Sequence, residues 1–522
     1  MKRLFWIFLT LFFITNVCAS PKRYGDLAEG PYDKLVIQNI MVIPGHGGPP
    51  VGPYDIIIEQ NMITEMTPFD PVTAERRGDT DRARGDRLID GTGLYAMPGM
   101  TDLHMHLRKE PMEIEYVYYL KLAHGVTTLV PAADRGLEAG MSEAEKSKKN
   151  EILAPRLFPI WGWGRNVDMT QVEKDDPKNA DKIVRRMITQ GAHVVSLGGQ
   201  AWSQELFAAA CKAVWENGGI TTVHLPPSSN AVVQAVDAAR LGVTMIEHHY
   251  GYGESSLDRS VQDFPRDYNY NDENARFRHA GKVWVEADKE RLLSEVADSL
   301  VAYGVTMLPT RVVYEANRDI VRAQSLPWHK KYTHQALINW NLPNPAYHGS
   351  YHYDWTSDDE YYWYYAFDLW GDLIYEFNKR GGRVAYGTDD NYIWATPGFS
   401  NVRELQLLRE SGMHNLEVIK SATLNSSQTL RQEKLGLVRP GYIADLALVD
   451  GNPAYNLRFL YSFGALTIDE NGSMIRTKGI VHTIKDGIVT NNARLMEEVA
   501  KMVKKSKRGI GPDAVTKPFV IE

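Results

Sequence analysis

Two histidines one residue apart, His104 and His106, have the clearest chemical potential in the sequence. They follow a short apolar stretch that includes Pro98 and Gly99. In an extended strand, side chains two residues apart point to the same side. Two neutral imidazoles on one side of a strand form half of a transition-metal site. The other ligands must then come from other parts of the chain.

A repeated pattern predicts the elements that would position those ligands. Six segments each begin with a glycine and continue as a short apolar run rich in β-branched residues: 125–130, 191–197, 219–224, 242–248, 304–308 and 382–389. Helical patterns such as 203–216 and 289–302 lie between them. Buried strands that alternate with helices indicate a parallel sheet. With strands at 101–106 and near 156–160 the count is eight, which predicts an α/β fold with a (β/α)₈ TIM-like barrel.

Polar side chains stand at the ends of four of these predicted strands. They are His106, His224, His248 and Asp389. The carboxyl ends of the strands form the catalytic face of such barrels. Four separate segments therefore predict one common site.

The two chain ends predict a second, smaller domain. Short strand patterns occupy residues 34–66 and return near the C-terminus. We expect residues 20–98 and 431–492 to form one β-sandwich domain, with the barrel at 99–430 between them. Residues 493–522 are expected to form a C-terminal helix and tail.

The N-terminus has the pattern of a Sec-type signal peptide over residues 1–19. Lys2 and Arg3 precede an apolar run that is too short for a membrane span. We expect a periplasmic or secreted protein with no stable membrane insertion after the signal is removed. Cleavage as a lipoprotein at Cys18 is an alternative. Cys18 and Cys211 are the only cysteines, so loss of Cys18 would leave no disulfide.

Composition excludes some partners. The formal net charge is −7, and no basic stripe lies outside the last turns of the chain. These features argue against nucleic-acid binding. A homo-oligomer is compatible with the sequence. Two long segments, 250–282 and 327–370, interrupt the repeat and are interpreted as a lid over the site or, alternatively, as a packing layer or dimer surface.

Several motifs together resemble one known family. They are residues 97–106, 125–129, 246–248, 387–389, 422–425, 436–445 and 450–453. In this order they resemble the amidohydrolase superfamily of metal-dependent hydrolases, in its imidazolonepropionase/prolidase-like branch with a composite second domain. The resemblance implies a barrel whose metal activates water.

The resemblance also implies a ligand set. His104, His106 and Asp389 match the ligands of the first metal, and His224 and His248 match the histidines of strands five and six. One subgroup carries a metal-bridging lysine at the end of strand four, where this sequence has Ser196. We therefore expect one divalent metal, held by His104, His106, His224 and Asp389, with zinc preferred from the ligand types. A second metal that also uses His248 and another carboxylate is the alternative.

The expected reaction is hydrolysis of an amide-type C–N bond. Asp389 would act as the base, and His248 would donate a hydrogen bond to the developing oxyanion. The Ile-Glu-His motif selects His248 over its neighbour His249. Arg311 could bind a substrate carboxylate, although a salt bridge within the protein is an equal alternative.

The leading interpretation is an exported amidohydrolase for a dipeptide, an N-acyl amino acid or a similar small molecule. A deaminase or cyclic-amide hydrolase shares this scaffold, and fold alone does not choose among them. From another class, the chain could be a non-catalytic metal-binding or ligand-binding relative, which Ser196 favours and Asp389 disfavours.

Overall fold

The computed structural model describes residues 24–77, 82–107, 112–132, 136–198, 202–225, 233–257, 272–342, 352 and 354–508. The expected signal peptide and Cys18 lie outside these residues. No helix among the described residues is long and apolar enough to cross a membrane. Cys211 is buried in the helix Gln204–Glu216, as expected for a core thiol.

The central part of the chain contains parallel strands only. Three form one sheet: Met100–His106, Val126–Ala132 and Arg156–Leu157. Six form another: Ile160–Gly162, Val194–Ser196, Ile220–His224, Met245–Glu247, Thr306–Leu308 and Arg383–Val384. The strand expected near 156–160 is split in two at Pro159, which has no backbone N–H to donate. The predicted α/β fold with parallel sheets is confirmed.

Backbone and side-chain contacts connect the two parallel sheets. The Leu103 N–H donates to the Tyr386 carbonyl at 2.9 Å, and the Phe158 N–H donates to the Leu129 carbonyl at 2.9 Å. One buried cluster takes apolar side chains from both sheets: Leu103, Val130, Ile160, Val194, Ile220, Met245, Leu308 and Ala385. The two parallel sheets therefore share one apolar interior.

Helices separate most of these strands. In chain order they are Ile114–Ala123, Leu137–Lys148, Gln171–Lys174, Ala180–Thr189, Gln204–Glu216, Ala235–Arg240, Tyr252–Ser255, Glu273–Glu286, 289–302, Arg311–Arg318, Ile320–Gln324, His329–Tyr332, Gln335–Asn341, Ser357–Lys379, Phe399–Glu410 and 415–429, with Pro71–Arg77 before them and Asn492–Ser506 after them. Short 3₁₀ turns lie at Pro177–Asn179 and Leu457–Leu460.

Both chain ends contribute to one nine-stranded mixed sheet. Its strands are Ala28–Glu29, Lys34–Val42, Val51–Glu59, Met62–Pro68, Arg87–Asp90, Leu94–Pro98, Leu446–Asp450, Gly479–Lys485 and Ile488–Thr490. The sheet curls until its ends meet, since Asn61 Nδ2 at one end donates to Asp486 Oδ1 at the other at 3.5 Å. The expected sandwich is thus one curled sheet around its own apolar core. A separate hairpin pairs Leu466–Ile468 with Met474–Arg476.

The described parts of the two interrupting segments pack against each other. The long helix Ser357–Lys379 lies along Glu273–Glu286, and Trp363 Nε1 donates to the Phe277 carbonyl at 2.8 Å. Trp363 also stacks on Tyr314 at a ring separation of 5.9 Å. These parts form a packing layer, while residues 258–271, 343–351 and 353 lie outside the described chain.

Candidate metal centre

Three of the predicted ligands meet at one point. His104 and His106 project from the strand Met100–His106, and Asp389 follows the last parallel strand. Asp389 Oδ1 lies 3.3 Å from His104 Nε2 and 2.9 Å from His106 Nε2. One ligand atom from each residue lies within 4.8 Å of the other two.

The backbone fixes Asp389 over the two histidines. The N–H groups of Thr388 and Asp389 both donate to the His104 carbonyl, at 3.0 and 2.7 Å. Asp389 adopts a left-handed conformation with φ of 49°. Such a conformation is uncommon for residues other than glycine and is found where surrounding contacts impose it. The carboxylate is therefore held in place by the strand that carries the histidines.

His248 lies beside this cluster and also has a left-handed backbone, with φ of 65°. Its Nδ1 is 2.7 Å from Thr310 Oγ1 and 3.7 Å from Asp389 Oδ2. Its ring lies 5.0 Å from the His104 ring. His249, the neighbouring alternative, contacts Trp363 and Trp370 and is in neither group of ligand atoms that the described residues form.

His224, the fourth predicted ligand, lies beside His248. Its ring stacks on Tyr250 at 4.9 Å and lies 4.6 Å from the His248 ring. It is absent from the described groups of converging ligand atoms. The ligand atoms of His104, His106 and Asp389 converge, and the assignment of His224 as a fourth ligand stays a prediction.

Sequence reasoning missed Glu247. Its Oε1 lies 3.0 Å from His104 Nδ1, and Thr222 Oγ1 donates to the same oxygen. His104, Glu247 and His248 form a second group with ligand atoms within 4.8 Å. Strand alternation predicts opposite directions for Glu247 and His248, but the left-handed backbone at His248 brings both toward His104. The one sequence signal for Glu247 was its place in the Ile-Glu-His motif at residues 246–248.

Electrostatics favour an ionised Asp389 and neutral His248 and His224, while His104 holds a proton that a metal would have to displace. Burial raises the pKa of Asp389, but His248 and His104 outweigh it and hold that pKa well below the usual value. Burial lowers the pKa of His248 to about 4 and that of His224 well below its usual value. Burial also lowers the pKa of His104, but the charges of Glu247 and Asp389 outweigh it and raise that pKa well above normal. Asp389 is thus ionised, and His248 and His224 are neutral.

The residues fit a divalent cation. Asp389 Oδ1 is buried and has no well-oriented hydrogen-bond donor, although two histidine nitrogens lie within 3.3 Å. His224 Nε2 is also buried without a described hydrogen-bond partner. Lone pairs that converge in this way match metal ligands better than a hydrogen-bonded set. Ser196 does not enlarge the cluster, since its Oγ accepts a hydrogen bond from Gly198 N–H at 3.3 Å.

Arg311 lies elsewhere, which corrects its predicted role toward substrate. Its guanidinium donates to the Leu407 carbonyl at 3.1 Å and the Phe367 carbonyl at 2.7 Å. It also lies over the Phe367 ring at 4.0 Å. Although Arg311 follows a strand end closely in sequence, it begins a helix and turns into the packing between helices.

A buried lysine joins the two segments that carry the ligands. Lys121 is fully buried, and its Nζ donates to Asp102 Oδ2 at 2.8 Å, Asp390 Oδ2 at 2.6 Å and Asn401 Oδ1 at 2.9 Å. Asp102 lies two residues before His104, and Asp390 directly follows Asp389. No sequence pattern pointed to Lys121, because it lies in an otherwise apolar helix, Ile114–Ala123.

Three comparisons with known proteins were made, two of which found similar proteins. The amidohydrolase family's sequence model matches residues 374–490. No curated protein matches the chain. Among solved structures, bottromycin amidohydrolase aligns with a TM-score of 0.58 at 17% identity, covering 94% of this chain and 97% of that chain.

Two other solved structures have similar scores. A Xaa-Pro dipeptidase with bound methionine in its active site aligns with a TM-score of 0.56 at 19% identity, covering 88% of this chain and all of that chain (100%). Ochratoxinase from A. niger aligns with a TM-score of 0.55 at 17% identity, covering 88% and 95%. At these identities the alignments establish the shared fold. The chain is therefore similar to amidohydrolases in sequence over residues 374–490, and it shares the fold of these solved structures over most of its length.

Proposed function

We propose that this protein is an exported amidohydrolase that hydrolyses the amide bond of a dipeptide, an N-acyl amino acid or a similar small molecule. The observation that carries the proposal is the convergence of His104, His106 and Asp389. The names of the similar structures, a dipeptidase and two other hydrolases, support this substrate class. Export rests on the sequence pattern of residues 1–19.

We infer a single divalent ion, with zinc preferred, held by His104 Nε2, His106 Nε2 and a carboxylate oxygen of Asp389. A divalent ion there supplies Lewis acidity, which makes water a nucleophile at neutral pH. Glu247 is assigned a different part. Because His104 Nε2 faces Asp389, a proton on Nδ1 would face Glu247 Oε1 at 3.0 Å, and that contact would fix the tautomer and the ring orientation.

Asp389 is the proposed base. Its ionised carboxylate can accept a proton from the attacking water and pass it to the leaving nitrogen. Its fixed backbone keeps the accepting oxygens at the histidine cluster through both proton transfers.

His248 is the proposed oxyanion donor. It is neutral near pH 7, because burial holds its pKa at about 4. When Thr310 Oγ1 donates to Nδ1, the proton of the neutral ring resides on Nε2. Nε2–H can then stabilise the carbonyl oxygen as negative charge develops.

We also infer that the parallel strands close into a (β/α)₈ barrel spanning about residues 99–430. The shared interior cluster and the Leu103–Tyr386 hydrogen bond support closure. The chain leaves the mixed sheet at Pro98 and enters the parallel strands at Met100, and it re-enters the mixed sheet at Leu446.

Asp389→Asn tests the proposed function. We expect the variant to fold and to lose about 10²–10⁴-fold in turnover, the usual contribution of a general base. Dipeptides, N-acyl amino acids and cyclic ureides should be assayed beside metal analysis of the wild type. The role of Asp389 is wrong if turnover stays within about tenfold of wild type. A wild-type protein that binds no metal and is silent on every substrate would contradict the enzyme itself.

A further inference from the structure

A second concave surface lies apart from the metal centre. It is a cavity of about 930 Å³ that includes none of the metal-centre residues among its lining. Its aromatic walls are Trp328, Tyr332, Tyr461 and Phe463. The rings of Tyr461 and Phe463 are 5.3 Å apart and almost parallel. Both the volume and the aromatic lining are typical of small-molecule sites.

Positive charge is concentrated around this cavity. Five basic side chains line it and no acidic one does: Arg322, Lys331, Arg403, Arg458 and Arg476. The whole chain has a formal charge of −7, so the positive charge of the cavity lining is opposite in sign to the net charge of the protein. A concave surface with charges of one sign attracts ligands of the opposite sign.

Two of the five cations are already neutralised. Arg322 pairs with Glu315 Oε1 at 2.6 Å, and Arg403 pairs with the same oxygen at 2.6 Å and with Glu410 Oε1 at 2.8 Å. Lys331, Arg458 and Arg476 make no ion pair with any carboxylate that the structure describes. Three positive charges therefore face the cavity without a counter-charge in the described chain.

Trp328 adds an unsatisfied donor. The residue is only 6% exposed, and its indole Nε1 has no hydrogen-bond partner among the described residues. Its ring is held by stacking on Phe399 at 5.0 Å. A buried N–H without an acceptor is costly, and a ligand acceptor in the cavity would satisfy it.

We propose that this cavity binds a small organic anion that carries a flat aromatic ring. The ring packs against the aromatic walls, and the anionic group pairs with Lys331, Arg458 and Arg476. A neutral aromatic ligand would leave three cations without a counter-charge, and an inorganic anion would leave the aromatic walls uncovered. Aromatic carboxylates and nucleoside monophosphates share this chemistry.

Isothermal titration of the full chain with matched probes tests the proposal. 1-Naphthoate carries both features, 1-naphthamide lacks the charge, and cyclohexanecarboxylate lacks the aromatic ring. We expect naphthoate to bind about tenfold or more tightly than either of the others. AMP in a fourth titration separates the two ligand sources, since tighter binding of AMP indicates a nucleotide and tighter binding of naphthoate an aromatic carboxylate. The absence of binding by both at millimolar concentration would overturn the proposal.

Variants locate the binding. Arg458→Glu with Arg476→Glu should weaken naphthoate binding about tenfold or more, because both side chains are exposed and the fold does not depend on them. Arg409→Glu is the matched control: Arg409 is exposed on the helix Phe399–Glu410 and does not line the cavity. Asp389→Asn should leave naphthoate binding unchanged, which separates this cavity from the metal centre.

Two further outcomes would contradict the proposal. Naphthoate binding that survives the double variant, or that disappears in Asp389→Asn, places the ligand elsewhere. Light scattering measures the oligomeric state and so tests whether a second copy of this chain occupies the cavity instead. If the double variant turns an oligomer into a monomer while wild type binds no probe, the cavity is an interface between subunits.

Discussion

Two buried lysines show how the same group takes different parts in two regions of the protein. Lys121 lies beneath the metal centre and faces two carboxylates, Asp102 and Asp390. Lys485 lies where the mixed sheet meets the central part of the chain and donates to the Ser147 carbonyl at 2.7 Å and Asn150 Oδ1 at 3.0 Å. Its carboxylate partner is Asp486, at 3.0 Å.

The difference lies in what each lysine's partners do. Asp486 has a second cation, since Arg156 Nη2 lies 2.6 Å away. Asp102 and Asp390 have Lys121 as their shared cation, and each adjoins a segment that carries metal ligands. Lys485 therefore joins two parts of the fold, whereas Lys121 also determines where the ligands stand.

The largest effect is expected from Lys121→Met. Removal of one partner of a buried ion pair costs about 3–5 kcal/mol, because it leaves an uncompensated buried charge. We expect a loss of that size in the free energy of unfolding and, in the fraction that folds, about 10–100-fold weaker metal binding. Denaturant unfolding and metal titration measure the two effects separately. Unchanged metal affinity in a folded variant would show that Lys121 stabilises the fold but does not position the ligands.

Lys485→Met is the matched change at the other lysine. We expect a smaller loss of about 1–3 kcal/mol in the free energy of unfolding, because Asp486 keeps Arg156 as its counter-charge. Metal affinity should stay within about twofold, since no ligand adjoins this network. Equal losses of metal affinity in both lysine variants would remove the distinction between the two regions.

Glu247→Gln tests a residue that contacts the predicted ligand His104 directly, whereas Lys121 acts through Asp102 and Asp390. The amide keeps the size of the side chain but loses the charge beside His104 Nδ1. We expect near-normal stability and about tenfold weaker metal binding. Metal titration of the purified variant checks this result, and a stoichiometry that falls from two ions to one would instead identify Glu247 as a ligand of a second metal.

The smallest effect is a shift in the pH dependence of metal binding. Glu247 and Asp389 hold the pKa of His104 well above normal, so the metal-free protein carries a proton that metal must displace. Affinity should rise with pH until that raised pKa is passed and then level off. The stability of the metal-free protein should change in the opposite direction. The protonated His104 stabilises the folded state at low pH, and this stabilisation is lost as the pH rises through the raised pKa. In Glu247→Gln the levelling should occur at lower pH.

Much of the fold followed from local patterns. Each glycine-led apolar run contains an observed parallel strand, because short β-branched runs between helices have few other ways to bury themselves. We also predicted one β-sandwich domain built from both chain ends, and strands from both ends pair in one sheet. The exact ends of the strands were not predicted. The break at Pro159 shows that strand ends depend on which backbone groups find hydrogen-bond partners.

The site was predicted in part. His106 and Asp389 were found because each ends a predicted strand, and His104 because it lies two residues before His106 on the same side of that strand. Arg311 has a similar position in sequence but turns away into helix packing. His224 stacks on Tyr250, and its role as a fourth ligand stays a prediction.

By itself, the sequence determined the order of strands, the family resemblance and three converging ligands, since each follows from residue type and periodicity along the chain. The tertiary structure alone decided which groups support those ligands. Glu247 reaches His104 through the left-handed backbone at His248, and Lys121 meets Asp390 across 269 residues of chain. Contacts of this kind depend on backbone direction and burial in three dimensions, and neither leaves a local pattern in the sequence.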